Sequence, residues 1–345
     1  MERTIELRSD NAAGVAPEIV EAIVAANVGS ALAYGDDAWT ARLRGIVREV
    51  FEHPTAEVFP VVSGTAANSL SLSALCPPWG AVLCHETAHI IQSEGGATSL
   101  FGGGAVMRGI GGDGFRIDRV RLQAALDAVR WGDPHHSQPA ALSLTLPSDY
   151  GTVYTPAQVA ELADVAKTRG LRVHIDGARI ANAIAAIGCS PAEITWRAGV
   201  DIISLGGNKN GTLSTDAIVS FDDGASAELV YRVKRAGHVA SKMRYQSAQL
   251  SAYLSDGLWL RLARSANEAM ARLAAGLATL GVETINEPEV NMLFVRVSDA
   301  VADALTDTGL LFYRMGPGVA RFVTSFETTS AEVDAVVAAV AKAIG

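Results

Sequence analysis

The chain of 345 residues has little cysteine, no excess of positive charge and no long apolar run. Its three cysteines, Cys76, Cys84 and Cys189, are too few and too scattered for a disulfide framework, which favours a reducing compartment. A net charge of −9 argues against a nucleic-acid partner, because such partners bind to cationic surfaces. No apolar stretch reaches the roughly 20 residues of a membrane helix, and the first residues lack the apolar core of a signal peptide. We therefore expect a cytoplasmic protein with no membrane partner.

What the sequence does contain is apolar residues, at 49%, arranged in short β-rich runs that alternate with helical segments. This alternation is typical of an α/β fold in which helices cover a largely parallel sheet. The strands expected in that sheet are residues 58–62, 81–84, 105–108, 140–146, 172–176, 201–205 and 217–221.

Helix signals divide the chain further. Thr155, Pro156 and Gln158 form a capping pattern that predicts a helix ending near residue 170. Residues 247–280 have a strong helical pattern, followed by expected strands at 292–297 and 321–324 and by an alanine-rich terminal helix. The sequence thus predicts a large domain over residues 1–246 and a smaller α+β domain over residues 247–345, with a shared interface.

Ser63, Gly64 and Thr65 lie between an expected strand and an expected helix. The free N–H groups and the positive dipole end at such a turn suit a phosphate, and the two hydroxyls add donors. An ordinary serine or threonine cap has the same pattern, and this segment alone favours that simpler interpretation.

Asp176 and Lys209 each follow an expected strand, at the sheet edge where open α/β sheets bind ligands. A buried Asp176 needs a cationic partner, which Arg179 could be; Arg179 could instead bind a substrate carboxylate, and the aspartate could simply cap a helix. Lys209 could form a Schiff base in a cleft or be a surface lysine in a turn. With the Ser63 turn, they match what pyridoxal phosphate (PLP) requires: a lysine for its aldehyde, a carboxylate for its ring nitrogen and a cradle for its phosphate.

A competing interpretation comes from His85, Glu86 and His89, which fit the H-E-x-x-H pattern of zinc hydrolases. In that motif two histidines on one helical face bind zinc and the glutamate acts as general base. A strand is expected to end at Cys84, however, which leaves little helix before His85. The glycine and third histidine of the extended motif are also missing downstream.

A series of short motifs spans nearly the whole chain. They are Arg8-Ser9-Asp10-Asn11, Tyr34-Gly35-Asp36-Asp37, Ser63-Gly64-Thr65, Thr87-Ala88-His89, Glu94-Gly95-Gly96, Gly151-Thr152-Val153-Tyr154, His174-Ile175-Asp176-Gly177-Ala178-Arg179, Asn208-Lys209-Asn210-Gly211, Lys242-Met243-Arg244 and Arg321-Phe322-Val323-Thr324-Ser325. In this order they resemble the threonine aldolases of the β-eliminating lyase group. The resemblance implies a three-layer α/β/α fold of the PLP-dependent transferase kind, that is, the aspartate aminotransferase fold type I, with a smaller C-terminal α+β domain.

The resemblance also implies roles for individual residues. Catalysis would fall to Lys209, His89, His135 and Asp176; cofactor binding to Ser63, Gly64, Thr65, His89, Asp176, Arg179, Lys209 and Arg244; and substrate binding to Ser9, His135, Arg179 and Arg321. In particular, His89 would stack on the cofactor ring and His135 would approach the substrate β-hydroxyl. Arg244 would reach the phosphate of a neighbouring chain across a dimer interface.

The activity implied is retro-aldol cleavage of L-threonine, L-allo-threonine and related β-hydroxy-α-amino acids, with phenylserine as a further candidate, to glycine and an aldehyde. The active form would be a homodimer or homotetramer. The base for the β-hydroxyl proton stays open among His135, His89, Glu94 and a bound water. The alternatives are a PLP enzyme that eliminates, decarboxylates or racemises, a zinc hydrolase, and a non-catalytic binding protein.

Overall fold

The computed structural model describes residues 4–345. Its strands are β1 Ile5–Glu6, β2 Glu57–Val61, β3 Gly80–His85, β4 Val106–Ile110, β5 Gln138–Thr145, β6 Arg172–Gly177, β7 Ile202–Leu205, β8 Asp216–Ser220, β9 Met292–Arg296, β10 Leu310–Leu311, β11 Tyr313–Gly316 and β12 Val319–Val323. Its α-helices are α1 Pro17–Ala26, α2 Ala38–Val50, α3 Gly64–Leu75, α4 His89–Gln92, α5 Ala97–Phe101, α6 Arg119–Asp127, α7 Pro156–Thr168, α8 Ile180–Ile187, α9 Pro191–Ile194, α10 Asp223–Arg235, α11 Arg244–Leu254, α12 Leu258–Thr279, α13 Asp299–Asp307 and α14 Ser330–Ile344. No helix in this part of the chain is long and apolar enough to cross a membrane.

The central sheet has seven strands in the order β2-β8-β7-β6-β5-β3-β4. Neighbours from β4 to β7 are parallel, whereas β8 runs antiparallel to both β7 and β2. All seven are strands that the sequence predicts, within two residues of the expected bounds. The predicted largely parallel sheet is therefore confirmed, as is the capped helix α7, whose Thr155 and Gln158 form a capping box.

Strand pleating sends alternate side chains of this sheet into two apolar cores. Leu83 and Leu142 face one core, which the sheet forms with helices that include α7 and α8. Val82 and Ala141 face the other core, formed with α3 and α10. The sheet thus lies between two helical layers, as the predicted three-layer fold requires.

The same alternation decides where the end of β6 points. Val173 and Ile175 belong to the core that contains α7 and α8. His174 and Asp176 therefore project from the opposite face, toward α3. This places the Asp176 carboxylate next to the helix whose N-terminus is formed by Gly64.

The predicted smaller α+β domain is a three-stranded antiparallel sheet, β11-β12-β9, with α13 and α14. Its core also includes Leu7, and β1 pairs with β10, so the start of the chain belongs to this unit. The core of the large domain extends to Ala263 and that of the small domain begins at Ala269. The two cores therefore meet along α12, because this helix packs against both units; the domain boundary expected after residue 246 stays a prediction.

The segment between β7 and Lys209 passes very close to the turn before α8. A Cβ added to Gly206 would lie 2.1 Å from the carbonyl oxygen of Ala178. The Gly206 carbonyl also accepts a hydrogen bond from the Tyr253 hydroxyl at 2.9 Å. Glycine is required here because two backbone segments touch, and that contact brings Lys209 toward Asp176.

Gly206→Ala is accordingly expected to lower the free energy of unfolding by about 3 kcal/mol or more, because backbone atoms must move to admit the methyl group. Urea denaturation followed by circular dichroism measures the change. Gly45→Ala in α2 is the matched control: nothing lies within 4 Å of its added Cβ, and alanine favours helix by up to about 1 kcal/mol. Equal losses in the two variants would contradict the close contact.

Candidate active site

A cavity of about 420 Å³ opens at the carboxyl ends of the parallel strands. It is lined by nine of the eleven residues that the sequence predicts for the site: Ser9, Ser63, Gly64, Thr65, His89, Asp176, Arg179, Lys209 and Arg321. Polar residues that the sequence did not single out also line it, among them Asn68, Asp149, Asp216 and Tyr313. The predicted residues thus come together at the carboxyl edge of the sheet, where open α/β folds bind their ligands.

The turn before α3 presents backbone donors to this cavity. Ser63 caps the helix, since its hydroxyl accepts from the Ala66 N–H at 3.3 Å. The N–H groups of Gly64 and Thr65 belong to the first helical turn, which has no intrahelical acceptors for them. This leaves two donors and the positive helix end facing the cavity, as binding of a phosphate requires.

Both oxygens of Asp176 are hydrogen-bonded. Its Oδ1 accepts from the Ala178 N–H at 3.1 Å, and its Oδ2 accepts from Asn68 Nδ2 at 3.0 Å. The same Asn68 nitrogen donates to Glu94 Oε1 at 2.9 Å. The Asn68 amide therefore donates to two buried carboxylates, which would otherwise lie near each other with no donor between them.

His89 begins α4 and is paired with Glu94, whose side chain is fully buried. Its Nδ1 lies 3.1 Å from Glu94 Oε1. This hydrogen bond raises the pKa of His89; burial opposes it, and the charges of Asp176 and Asp149 support it. The imidazole consequently keeps its second proton to higher pH than an ordinary histidine.

Asp149 lies in the turn between β5 and α7. Its Oδ2 accepts a hydrogen bond from the backbone N–H of His89 at 3.0 Å. Burial, followed by the negative charge of Asp176, raises the pKa of the Asp149 carboxyl to about 6. The cavity therefore contains one carboxyl group that titrates close to neutral pH.

Lys209 lies in a short turn, Asn208–Asn210, that follows β7. Asp216 on β8 holds this turn by accepting from the N–H groups of Gly207 at 2.7 Å and Asn208 at 2.9 Å. Within the described residues the Lys209 ammonium has no hydrogen bond or ion pair, and burial, followed by the charge of Arg179, lowers the pKa of this lysine. An amine that loses its proton more easily is a better nucleophile toward an aldehyde.

Arg179 forms a bidentate ion pair with the buried Asp10 carboxylate. Its Nε and Nη2 donate to Asp10 Oδ2 and Oδ1 at 2.6 and 2.8 Å. Burial alone would raise the pKa of Asp10, but the charge and hydrogen bonds of Arg179 hold it below its usual range. Guanidinium has five N–H donors, so Arg179 keeps donors for an anionic ligand in the cavity.

Arg321 on β12 and Ser9 complete this side of the cavity. Arg321 Nη2 donates to the Arg8 carbonyl at 3.0 Å, while its buried Nε has no partner in the described part of the chain. Burial, followed by the charge of Arg179, lowers the pKa of Arg321. Two neighbouring guanidinium groups with unused donors are suited to a carboxylate.

The structure does not bring His135 or Arg244 into this cavity. His135 is exposed in the loop before β5, whereas the cavity lies beyond Thr145 at the other end of that strand, roughly 23 Å away at the usual rise per residue. His135 therefore does not approach the substrate site of its own chain, and an approach to the site of a neighbouring chain stays a prediction. Arg244 donates to the Gly29 carbonyl at 3.0 Å, and its expected contact with a neighbouring chain stays a prediction.

The zinc-hydrolase interpretation is not supported by the local geometry. His85 is the last residue of β3, Glu86 lies in a turn and His89 is the first residue of α4, so the two imidazoles do not share a helical face. His85 bonds Thr87 Oγ1 through Nδ1 at 2.8 Å. The three groups near enough to share an ion in the described residues are His89, Glu94 and Asp176, and the Asn68 amide already bridges both carboxylates.

Three cavity residues were not predicted from the sequence: Asn68, Asp149 and Asp216. For Asp149 a signal existed: it follows the expected strand 140–146, at the same sheet edge as Asp176 and Lys209. Asn68 lies in the first turns of α3, and Asp216 is the first residue of the antiparallel strand β8. Both reach the site only through tertiary contacts. Their sequence neighbours give no sign of those contacts.

The residues present fit PLP. This fit is judged from groups to which the described residues offer no partner. They are the N–H donors of Gly64 and Thr65 and the free amine of Lys209. These face one cavity together with the Asp176 carboxylate. They match the phosphate, the aldehyde and the ring nitrogen of this cofactor, respectively.

Comparisons with known proteins agree with this geometry. Residues 6–300 match the family model described as beta-eliminating lyase. The chain is 39% identical over 330 residues to a low-specificity L-threonine aldolase of Pseudomonas sp., covering 95% of this chain and 94% of that one. A threonine aldolase from Leishmania major has the same fold, with a TM-score of 0.92, 24% identity and 98% and 99% coverage. So does a serine palmitoyltransferase from S. paucimobilis with bound PLP-myriocin aldimine, with a TM-score of 0.72, 18% identity and 99% and 87% coverage.

Glu94→Gln is expected to lower the pKa of His89, because glutamine keeps an acceptor at Nδ1 but removes the negative charge. Nitrogen-15 NMR titration of the histidine rings measures the shift. His174 is the internal control: burial lowers the pKa of His174 to about 4, and Ser143 and Ser204 hold its ring. It should stay uncharged in both proteins. An unchanged His89 titration would show that Glu94 does not control its proton.

Proposed function

The chain belongs to the beta-eliminating lyase family, and from this membership we propose that it is a PLP-dependent threonine aldolase. The substrates proposed are L-threonine, L-allo-threonine and related β-hydroxy-α-amino acids, with phenylserine as a further candidate, which it would cleave to glycine and an aldehyde. The observation that carries the proposal is one cavity that combines Lys209, Asp176 and the pair Arg179 and Arg321. The 39% identity to a named threonine aldolase over 95% of the chain supports it.

Each part of the cofactor has a candidate partner in this cavity. Ser63, Gly64 and Thr65 would bind the phosphate through backbone and hydroxyl donors. Lys209 would hold the aldehyde carbon through its ε-amino group. Asp176 would keep the ring nitrogen protonated, and His89 would lie against the ring. When bound, PLP accepts the electron pair of a bond that breaks at the Cα of an amino acid.

The two arginines would decide which Cα bond breaks. Arg179 and Arg321, with the Ser9 hydroxyl, would fix the substrate carboxylate and so orient Cα in the cavity. Asp10 keeps Arg179 charged and fixes its plane through two hydrogen bonds. A carboxylate held in this way favours cleavage of the bond from Cα to Cβ in preference to loss of the carboxylate itself.

We further propose that the active form is a homodimer or homotetramer in the cytoplasm. Arg244 would then supply a positive charge to the phosphate site of a neighbouring chain. Its position at the N-terminus of α11, outside its own cavity, is compatible with that role.

Purified protein loaded with PLP is expected to convert L-threonine to equal amounts of glycine and acetaldehyde. Borohydride reduction followed by peptide mapping should leave the cofactor attached to Lys209. Formation of 2-oxobutanoate and ammonia would indicate β-elimination, and release of carbon dioxide would indicate decarboxylation; either would contradict the proposal. A zinc-dependent activity lost on chelation would restore the hydrolase alternative.

Asp176→Asn is expected to reduce kcat for threonine on the order of 100-fold or more, because the charge that stabilises the protonated ring nitrogen is removed. Steady-state kinetics with separate measurement of bound PLP checks this. Asp164→Asn, on the exposed face of α7, is the matched control and should keep normal turnover. Near-normal activity of the Asp176 variant with full PLP content would rule out this role.

A further inference from the structure

Asp149 is a carboxyl group in the cavity with an oxygen that the fold does not use. Its Oδ2 accepts from the His89 N–H at 3.0 Å, and its Oδ1 has no hydrogen bond within the described residues. The side chain lines the cavity that also contains Lys209 and Asp176. An acceptor is therefore available beside the position of the substrate.

The other carboxyl groups that line the cavity are less available to a substrate. Glu94 is fully buried: its Oε1 receives both Asn68 and His89, and its Oε2, although without a hydrogen-bond partner in the described residues, is sealed from solvent. Asp176 accepts one hydrogen bond on each oxygen. Asp216 accepts from the N–H groups of Gly207 and Asn208 on Oδ1 and from Asn208 Nδ2 on Oδ2. Asp176 and Asp216 would therefore lose hydrogen bonds of their own on taking a substrate proton, and the free oxygen of Glu94 is not accessible to a substrate.

The histidines are no better suited. His135 lies at the opposite end of β5 from the cavity. His89 is held at Nδ1 by Glu94, which stabilises its protonated form. A ring that keeps its proton is a donor and a poor acceptor. Among the described cavity-lining carboxyl groups, Asp149 is left as the acceptor that has a free oxygen on a side chain that is not fully buried.

The turn that contains Asp149 is held firmly on both sides. The Ser148 N–H donates to the Thr152 carbonyl at 2.8 Å, and their hydroxyls are 2.7 Å apart. Tyr150 stacks between Phe115 and Phe294, at centroid distances of 3.6 and 4.7 Å. The carboxylate is thus presented in a fixed position, as efficient proton transfer requires.

We propose that Asp149 is the catalytic base that takes the proton of the substrate β-hydroxyl, a role that rests on the proposed aldolase function. The O–H bond breaks and its proton moves to Asp149 Oδ1. The electron pair left on oxygen forms the aldehyde C=O, while the bond from Cα to Cβ breaks and its pair stays with the glycine portion. One proton leaves the hydroxyl and one is added to Cα, so no oxidant or reductant is needed.

The charges around Asp149 suit this role. Burial, followed by the charge of Asp176 on β6, raises the pKa of Asp149 to about 6, while His89, Arg179 and Lys209 act in the opposite direction. The charge of Asp149 in turn favours the charged form of Arg321. At pH 7 to 8 the carboxylate is ionised, yet it is a stronger base than an ordinary aspartate.

The decisive variant is Asp149→Asn, because asparagine can still accept from the His89 N–H but cannot take a proton. In the holoenzyme, kcat for L-threonine is expected to fall by roughly 100- to 10,000-fold, with the PLP absorption spectrum and PLP content retained. The decline of the wild-type rate below about pH 6 should disappear from the residual activity. Asp164→Asn should reproduce the wild-type profile.

A second reaction separates this role from a general structural effect. Exchange of the glycine Cα–H with deuterated water, followed by proton NMR, uses the same site but involves no β-hydroxyl. The Asp149→Asn holoenzyme should lose threonine cleavage at least ten times more than it loses this exchange. Equal losses, or cleavage within threefold of wild type, would overturn the base assignment. A wild-type enzyme that exchanges glycine but does not cleave threonine would instead overturn the proposed function.

Folding stability provides a readout independent of activity. The pKa of Asp149 is raised in the folded state, so its favourable contribution is fully present below the unfolded pKa and is lost as pH rises through about 6. Asparagine has no such loss, so the variant should gain stability relative to wild type between pH 5 and pH 8. A constant difference over this range would mean that Asp149 does not titrate as the proposal requires.

Discussion

The buried ion pair between Asp10 and Arg179 joins the three parts of the molecule that form the cavity. Asp10 comes from the N-terminal segment, Arg179 from the turn after β6, and Asn291, which donates to Asp10 Oδ2 at 3.1 Å, from the C-terminal domain. Asn291 also donates to the Thr324 carbonyl at the end of β12, the strand that contains Arg321. Loss of one partner of such a buried pair typically costs about 3 to 5 kcal/mol. The spacing of the two carboxylate-binding arginines therefore depends on this contact.

Asp10 is one of several buried carboxylates around the cavity whose hydrogen bonds hold neighbouring groups in place. Asp10 is held by Arg179 and Asn291, Glu94 by Asn68 and His89 through Oε1, and Asp216 by the Lys209 turn. Each of these buried carboxylates fixes the position of a group that would contact a ligand. Asp149 differs, since it is only partly buried and one of its oxygens has no partner in the described residues. In such a site the carboxylates that fix the positions of neighbouring groups are distinct from the carboxylate that is free to exchange a proton.

The sequence predicted the central sheet well because buried parallel strands are short apolar runs between helices, and that pattern is local. It also found Asp176 and Lys209, because the sheet-edge rule depends only on where strands end. It could not predict that Arg179 pairs with Asp10, 169 residues away in sequence, or that Asn68 joins Asp176 to Glu94. Such contacts depend on tertiary distances that no local pattern contains. The same holds for the way the two cores share α12, since this helix has one helical pattern but packs in both cores.

His135 and Asp149 show how topology can correct a role taken from resemblance. Both flank β5 and both are polar residues in loops, but the sheet-edge rule favours Asp149 alone, because only Asp149 follows the carboxyl end of that strand. Their positions differ by the full length of that strand, and only the carboxyl end faces the cavity. A proton acceptor must lie within hydrogen-bond reach of the group that it deprotonates, which makes geometry the first criterion and pKa the second. Asp149 meets the first criterion in this chain, because it lines the cavity with an oxygen that has no partner in the described residues, and this position supports the proposal that it is the base.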